Sequence, residues 1–519
     1  MSTPPSPPAR HRRPGQPTPA AARQLARDGV VLYKGRLALL NSTLTRDQAT
    51  AADLLAVRAA LDSCAVPYLL VRGNGHVPVL AVDSSHRHAL KAALVRHFAD
   101  EPFYARSLGA GKSTLLIADG ELPRGRKARI LRLFRPRLEP AGGLYFGASA
   151  GVQLELWKFK KGCIVLPVEN SLTRRMVRAQ DVKHGTVELH GKSWPTIEDM
   201  FASHAFDVPF PVDIVFSWVD GSSEDYQAAR RAQEAGAVLG EGDAHESRFR
   251  QIDELKYALR SIYMFAPWIR TIYIATDSPA PAWLGDHPRI RVVRSAEHFA
   301  DPSVLPTHNS MAVESQLHNI EGLSEYFLYS NDDMFFGRPL GPDMFFTPGG
   351  ITRFMLSPNR IGLGGSDAWR SGFENSARVN RKLLRERFGR VATRHLEHAA
   401  APFRKSVMQE LEKEFPQEFT ATASSRFRAA GNISVTNSLY HYYALFTGRA
   451  VEHAGARSVY VDTTTRAGLG SLARVLAKRN ADFLCLNDGH NPEVGAGERR
   501  ERVTDFLEKY FPLKAPWEK

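Results

Sequence analysis

Four short apolar runs constrain this chain more than any other feature. Residues 211–219, 271–276, 290–293 and 326–330 are β-prone and apolar nearly throughout. Between them lie stretches with helical periodicity. In 252–266, Ile252, Leu255, Leu259 and Ile262 fall on one helical face, and 310–320 reads as a further helix. Strands that are apolar on both sides must be covered on both sides. Their alternation with amphipathic helices therefore predicts an α/β fold with a doubly wound, Rossmann-like and mostly parallel sheet. Ligands of such sheets bind beyond the carboxyl ends of the strands. Those ends are acidic here: Asp220, Asp277 and Asn331-Asp332-Asp333. A single Asn/Asp cluster is a common turn. Several converging on one sheet edge are harder to explain that way. Adjacent buried carboxylates are costly unless neutralised. A hard divalent cation held between one or two carboxylates and phosphate oxygens neutralises them.

The 252–266 helix carries charge at its start and along its polar face. Asp253 and Glu254 open it, and Asp253, Lys256 and Arg260 share a face at i, i+3 and i+7. A surface salt-bridge ladder accounts for such a face. A helix lying on the sheet would also bring its N-terminus to the ligand edge. Further on, Arg394-His-Leu-Glu-His398 precedes Pro402, residues 406–415 read as a helix ended by Pro416, and Ser424-Ser-Arg-Phe-Arg428 follows. Residues 482–489 repeat the earlier theme, an apolar strand ending in Asn487-Asp488.

At 519 residues the chain has room for roughly two to four domains. Residues 1–20, rich in Pro and Arg, are expected to be disordered. Residues 22–205 read as a separate small α/β module, with helices at 48–63 and 86–98, strands at 67–72 and 77–82, and a strand pair over 153–168. That module shows no catalytic constellation. Residues 211–350 form the expected core, and 351–519 the part that completes it. No apolar run reaches the roughly 18 residues a spanning helix needs, and no secretory signal is evident. Cys64, Cys163 and Cys485 lack metal-type spacing and do not suggest a disulfide scaffold. A cytoplasmic location is therefore expected. The net charge of +13 favours anionic partners. The basic run 124–137 is a candidate for peripheral contact with the inner membrane face, against the plainer reading of a solvated basic surface.

These residues resemble the Stealth family, which comprises bacterial capsular and exopolysaccharide phosphotransferases and the catalytic subunit of the animal lysosomal-enzyme N-acetylglucosamine-1-phosphotransferase. Four blocks match in order. They are Asp213-Ile-Val-Phe-Ser-Trp-Val-Asp-Gly-Ser222; a second over 249–346 that includes Asp253-Glu-Leu-Lys, Leu305-Pro-Thr-His-Asn-Ser310, Glu314-Ser315 and Asn331-Asp-Asp333; a third over 398–428; and Phe483-Leu-Cys-Leu-Asn-Asp488. The chain departs from the family pattern at Gln251-Ile252, Ala258 and Gly431-Asn432.

The resemblance implies a GT-A-like catalytic domain and transfer of a sugar-1-phosphate. The donor would be a nucleoside diphosphate sugar, expected to be a UDP-hexose or UDP-N-acetylhexosamine. The acceptor would be a glycan hydroxyl, and a nucleoside monophosphate would leave. Such chemistry needs charge neutralisation and in-line positioning. Asp332 and Asp333, with Asp220, are the implied ligands of Mg²⁺ or Mn²⁺. His398 is the candidate general base, with His308 as runner-up. Arg428, with Lys256 or Arg260, would stabilise the transferred phosphoryl group. Asp253 and Glu254 are further catalytic candidates, and Asp220, Gly221, Lys256, Asn309, Asn331, Asn487 and Asp488 are implied substrate contacts. No nucleic acid partner is expected. Two alternatives stay open: a metal-dependent glycosyltransferase on the same scaffold, and a basic protein that binds polyanions without turnover.

Overall fold

The computed structural model describes residues 17–108, 113–124, 128–234, 240, 251–489 and 492–519. Residues 1–16 of the expected disordered tail lie outside these, and Pro19–Leu25 is helical. The chain forms two compact units, Met1–Ala202 and Ser203–Lys519.

The first unit is built on a sheet whose long strand, Val152–Lys160, pairs antiparallel with Ile130–Phe134 and parallel with Val79–Asp83. Two helices, Arg46–Asp62 and Arg87–His97, supply Leu54, Val57, Leu61, Leu90 and Leu94 to the core over that sheet. Thr45 opens the first helix with a capping box. Its hydroxyl accepts from the Gln48 N–H at 3.3 Å, and the Gln48 side chain accepts from the Thr45 N–H at 2.9 Å.

Residues 128–137 of the basic run are drawn into the fold, none of them exposed. Residues 125–127 lie outside the described residues, but Ile130–Phe134 is an interior strand. Arg135 and Arg137 both converge on Asp53 Oδ1, at 2.9 and 2.8 Å. Arg129 donates to the carbonyls of Leu156 and Val165 at 3.0 and 2.7 Å. The fully buried Asp53 carboxylate requires these guanidinium groups, because an unpaired charge there would be prohibitive.

The second unit holds the sheet foreseen from the apolar runs. Its order is Ile290–Val293, Ile272–Ala275, Val212–Ser217, Tyr326–Asn331 and Ala401–Arg404. The first four strands are parallel, in a register that sets Ile214 beside Ile272 and Leu328. The last strand runs antiparallel and comes from a stretch that carried no strand signal. At the start of the central strand, buried Asp213 accepts from Arg270 Nε (2.8 Å), Thr271 N (3.1 Å) and Ser324 N (2.8 Å), tying three neighbouring segments together. A second, three-stranded sheet joins distant parts of the chain. Phe483–Asn487 lies between Met334–Phe336, antiparallel, and Ser458–Asp462, parallel.

The helix expected over 252–266 runs Glu254–Phe265. Asp253 precedes it at φ 62°, in the left-handed region that Asp tolerates better than most residues. Nearly the whole helix is buried. Its Ser261 hydroxyl accepts from the Phe336 N–H at 3.1 Å, and its opposite side meets the helix Ala496–Tyr510 and the residues after it. Among the described residues, no helix is long and apolar enough to cross a membrane.

Candidate active site

A cleft of about 790 Å³ opens at the carboxyl ends of the parallel strands. It lies wholly within the second unit, and its size suits a nucleotide-sized ligand. The strand Val212–Ser217 delivers Ser217 and Trp218, Ile272–Ala275 delivers Asp277, and Tyr326–Asn331 delivers Asn331, Asp332 and Asp333. The edge strand Ala401–Arg404 is preceded by His398, and the strand Phe483–Asn487 ends in Asn487 and Asp488.

Asp332 and Asp333 sit at the cleft floor. Burial, then the carboxylates of Glu254 and Asp333, push the Asp332 carboxyl well above its ordinary range. Burial also raises Asp333, against the pull of the His398 ring and the Asn487 amide. Asp333 Oδ2 accepts from Asn487 Nδ2 at 3.3 Å and from the Cys485 thiol at 3.6 Å. Its Oδ1 is buried and meets no donor among the described residues. Such a pair suits a divalent cation that takes its remaining ligands from a phosphate group and water. Among the described residues, no cluster of His, Cys, Asp or Glu large enough to cage a metal ion by itself is present.

Opposite this pair, Arg428 donates to the Ser310 hydroxyl at 2.9 Å, and its charge acts on Glu314. Glu314 is buried, which raises its carboxyl, and the Thr436 hydroxyl donates to it. Tyr329 donates to Asn331 Oδ1 at 2.8 Å. His398 lies 5.4 Å from the Tyr460 ring, centroid to centroid, and the Tyr460 hydroxyl donates to Asn487 Oδ1 at 3.0 Å. His398, Tyr460, Asn487 and Asp333 thus form one continuous wall. His308 also lines the cleft, packed between Tyr226 and Phe427 at 5.2 and 5.4 Å. Asp488 accepts from Thr463 Oγ1 at 2.6 Å and pairs with buried Arg499 at 3.6 Å.

The cleft therefore gathers Glu254, His308, Asn309, Asn331, Asp332, Asp333, His398, Arg428, Asn487 and Asp488. Asn309 is almost fully buried. It caps the helix Ser310–Gln316 and donates to Asn432 Oδ1 at 2.9 Å, so it shapes the wall more than it offers free groups.

Five expected site residues are not brought to the cleft. Asp220 Oδ1 accepts from both the backbone and the hydroxyl of Ser222, at 3.1 and 2.7 Å, in a local turn. The Gly221 carbonyl accepts from Gln227 in the same turn. Asp253 Oδ1 accepts from Trp283 Nε1 at 3.3 Å. Lys256 lies 3.7 Å from Glu508. Arg260 is sealed between Glu508 and Glu518. The polar helix face was correctly identified, but it turns toward the C-terminal segment, leaving Glu254 alone of that group on the cleft.

Some lining residues escaped the sequence reading. Tyr460 belongs to a Ser-Val-Tyr-Val-Asp run that has the same strand-into-Asp form as the others, a signal that was available. Thr436 sits in a π-helical turn over Val435–Leu439 and has no local signature. Gln251, one of the departures from the family pattern, donates to the Val219 carbonyl at 2.5 Å and steadies the loop beside Trp218.

Models of the four conserved regions of Stealth proteins match this chain in order: region 1 at 210–236, region 2 at 248–354, region 3 at 397–445 and region 4 at 473–519. The exopolysaccharide phosphotransferase CpsY of Mycobacterium leprae is 55% identical over 94% of this chain and 90% of its own length. CpsY of Mycobacterium tuberculosis is 54% identical, over 94% and 92%. An exopolysaccharide phosphotransferase of Nocardia farcinica is 52% identical, over 92% and 88%. Among solved structures, the galactosyltransferase LgtC with donor and acceptor sugar analogues aligns with 58% of this chain and 96% of its own, at 12% identity and a TM-score of 0.29.

Proposed function

The chain belongs to the Stealth family and is a phosphotransferase, and from that premise we propose that it moves a sugar-1-phosphate from a nucleoside diphosphate sugar to a hydroxyl of a glycan acceptor. The expected donor is a UDP-hexose or UDP-N-acetylhexosamine, and the expected setting is exopolysaccharide or capsule synthesis. The acceptor oxygen attacks the sugar-side phosphorus. The bond from that phosphorus to the nucleoside monophosphate breaks, and its electron pair leaves with the nucleotide. The hydroxyl proton passes to His398, whose imidazole nitrogen accepts it as a general base.

Asp332 and Asp333 would hold Mg²⁺ or Mn²⁺, whose charge would neutralise the donor diphosphate. Asn487, itself steadied by Tyr460, orients Asp333. Arg428, held by Ser310, faces the same space with a planar fork suited to phosphate oxygens. Apolar and aromatic walls, among them Trp218, Phe373 and Phe427, limit water around the reacting groups.

The observation that carries this reading is the half-buried Asp332–Asp333 pair, with the buried Asp333 Oδ1 meeting no donor among the described residues, in one cleft with His398 and Arg428. The test is nucleotide release. The protein is incubated with UDP- and GDP-sugars, Mg²⁺ or Mn²⁺ and a glycan acceptor, beside Asp332→Asn and His398→Ala. UMP or GMP that needs the metal and falls ~10²–10⁴-fold in His398→Ala supports the proposal. UDP or GDP appearing instead would mean glycosyl transfer.

A further inference from the structure

The first unit carries a surface that the chemistry above does not use. Beyond the core of the sheet, Val152–Lys160 extends into a tongue with Cys163–Val165 and Met176–Arg178, and the last of these is an edge strand. The register places Lys158, Val165 and Met176 in one row and Lys160, Cys163 and Arg178 in another. These rows lie two residues apart, so they share a face. The intervening row, Phe159, Ile164 and Val177, points to the opposite face, where Ile164 and Val177 pack with Trp157, Leu166 and Met200.

Among the described residues, the first face has no such cover. Lys158, Lys160, Met176 and Arg178 are all exposed. Met176 is 66% exposed, and Leu172, in the turn that leads into its strand, is 42% exposed. Leu172 is held outward by a tight turn in which the buried Asn170 accepts from the backbone N–H groups of Leu172 and Thr173, at 2.9 and 2.7 Å. Residues 158–183 contain seven Lys and Arg against two acids, Glu169 and Asp181. Only Arg178 and Lys183 have an ion pair among the described residues, with Asp181 and Glu198.

Charged edge strands guard against unwanted strand pairing. That role would account for Arg178, but not for Met176 and Leu172, which make an edge more adhesive. Cations around protruding apolar side chains match an anionic lipid surface, where the cations meet headgroups and the apolar groups enter the interface. A soluble polyanion would use the charge alone. We propose that this tongue docks the protein peripherally on an anionic bilayer.

The full chain would be sedimented with vesicles of phosphatidylcholine, with and without phosphatidylglycerol, at low and raised salt. Two variants would accompany it: Lys158→Gln/Lys160→Gln/Lys161→Gln, and Leu172→Ser/Met176→Ser. Nucleotide release serves as the check that each variant is folded. The proposal expects salt-sensitive partition at least ~10-fold stronger onto anionic vesicles. It also expects a loss on the order of 100-fold in the charge variant and ~10-fold in the apolar variant, with release unchanged. Equal partition onto both vesicles, or none, would overturn it. So would an apolar variant that binds like the parent while heparin competes the protein off, since the face would then be a polyanion site.

Discussion

Arg260→Met should unfasten the C-terminal segment of the second unit and leave the chemistry nearly intact. The Arg260 side chain is 2% exposed, as is that of Glu518. Its Nε and Nη2 donate to the two Glu518 oxygens, both at 2.8 Å, and its Nη1 donates to Glu508 at 3.0 Å and to the Phe511 carbonyl at 2.9 Å. Removing the guanidinium strands the Glu518 carboxylate in a buried site. Breaking a buried pair from one side costs about 3–5 kcal/mol. In a unit of this size that lowers the thermal midpoint by roughly 6–15 °C. Adding Glu518→Gln removes the stranded charge and should recover most of the loss. The assay is thermal unfolding followed by tryptophan fluorescence, with nucleotide release measured well below the transition. An unchanged midpoint together with a ~10²-fold loss of turnover would return Arg260 to the catalytic machinery and refute the placement argued above.

Other outcomes follow from the same packing. Burial holds the His441 imidazole down to about 3 from an ordinary 6.5. The folded state thus refuses a proton that the unfolded chain accepts below pH 6.5, so the stability tied to neutral His441 is whole above that pH and is lost as pH falls toward about 3. His441→Leu should flatten the fall of unfolding free energy between pH 6.5 and 5 by about 1.4 kcal/mol per pH unit; parallel curves for parent and variant would contradict this. Tyr460→Phe deletes the hydroxyl that steadies Asn487 and should lower turnover ~10-fold while leaving the unfolding free energy within about 1 kcal/mol of the parent. Asp53→Asn removes the charge that Arg135 and Arg137 share, and should destabilise the first unit by about 3–5 kcal/mol in denaturant titrations.

The sequence was most legible where the signal is local. An unbroken apolar run that stops at Asn331-Asp332-Asp333 can only be a covered strand with its polar end at the sheet edge, and the cleft lies there. The same reasoning placed Asp220 at a strand end, yet could not tell that Ser222 would satisfy its carboxylate two residues on. Helical spacing put Asp253, Lys256 and Arg260 together, but spacing does not say what a face looks at. Glu508 and Glu518, some 250 residues away, decide that. Charge density within 124–137 has the same blind spot, because the partner of Arg135 and Arg137 is a single aspartate 82 and 84 residues upstream. The edge strand Ala401–Arg404 carried no pattern of its own. It exists because Tyr326–Asn331 offers it an open ladder.

The three-stranded sheet through Phe483–Asn487 has a consequence for how the protein is born. Asp333 reaches the ribosomal exit long before Asn487, which is 154 residues later. Until that strand arrives and pairs with Met334–Phe336, the Asp333 wall of the cleft lacks its partner. Domains form as their chain emerges, and closing so long a loop comes late. A growing chain should therefore be unable to spend nucleotide sugar, and a product cut short before residue 480 should be inert even where its main sheet has formed. Competence comes only once the chain has grown past Asn487.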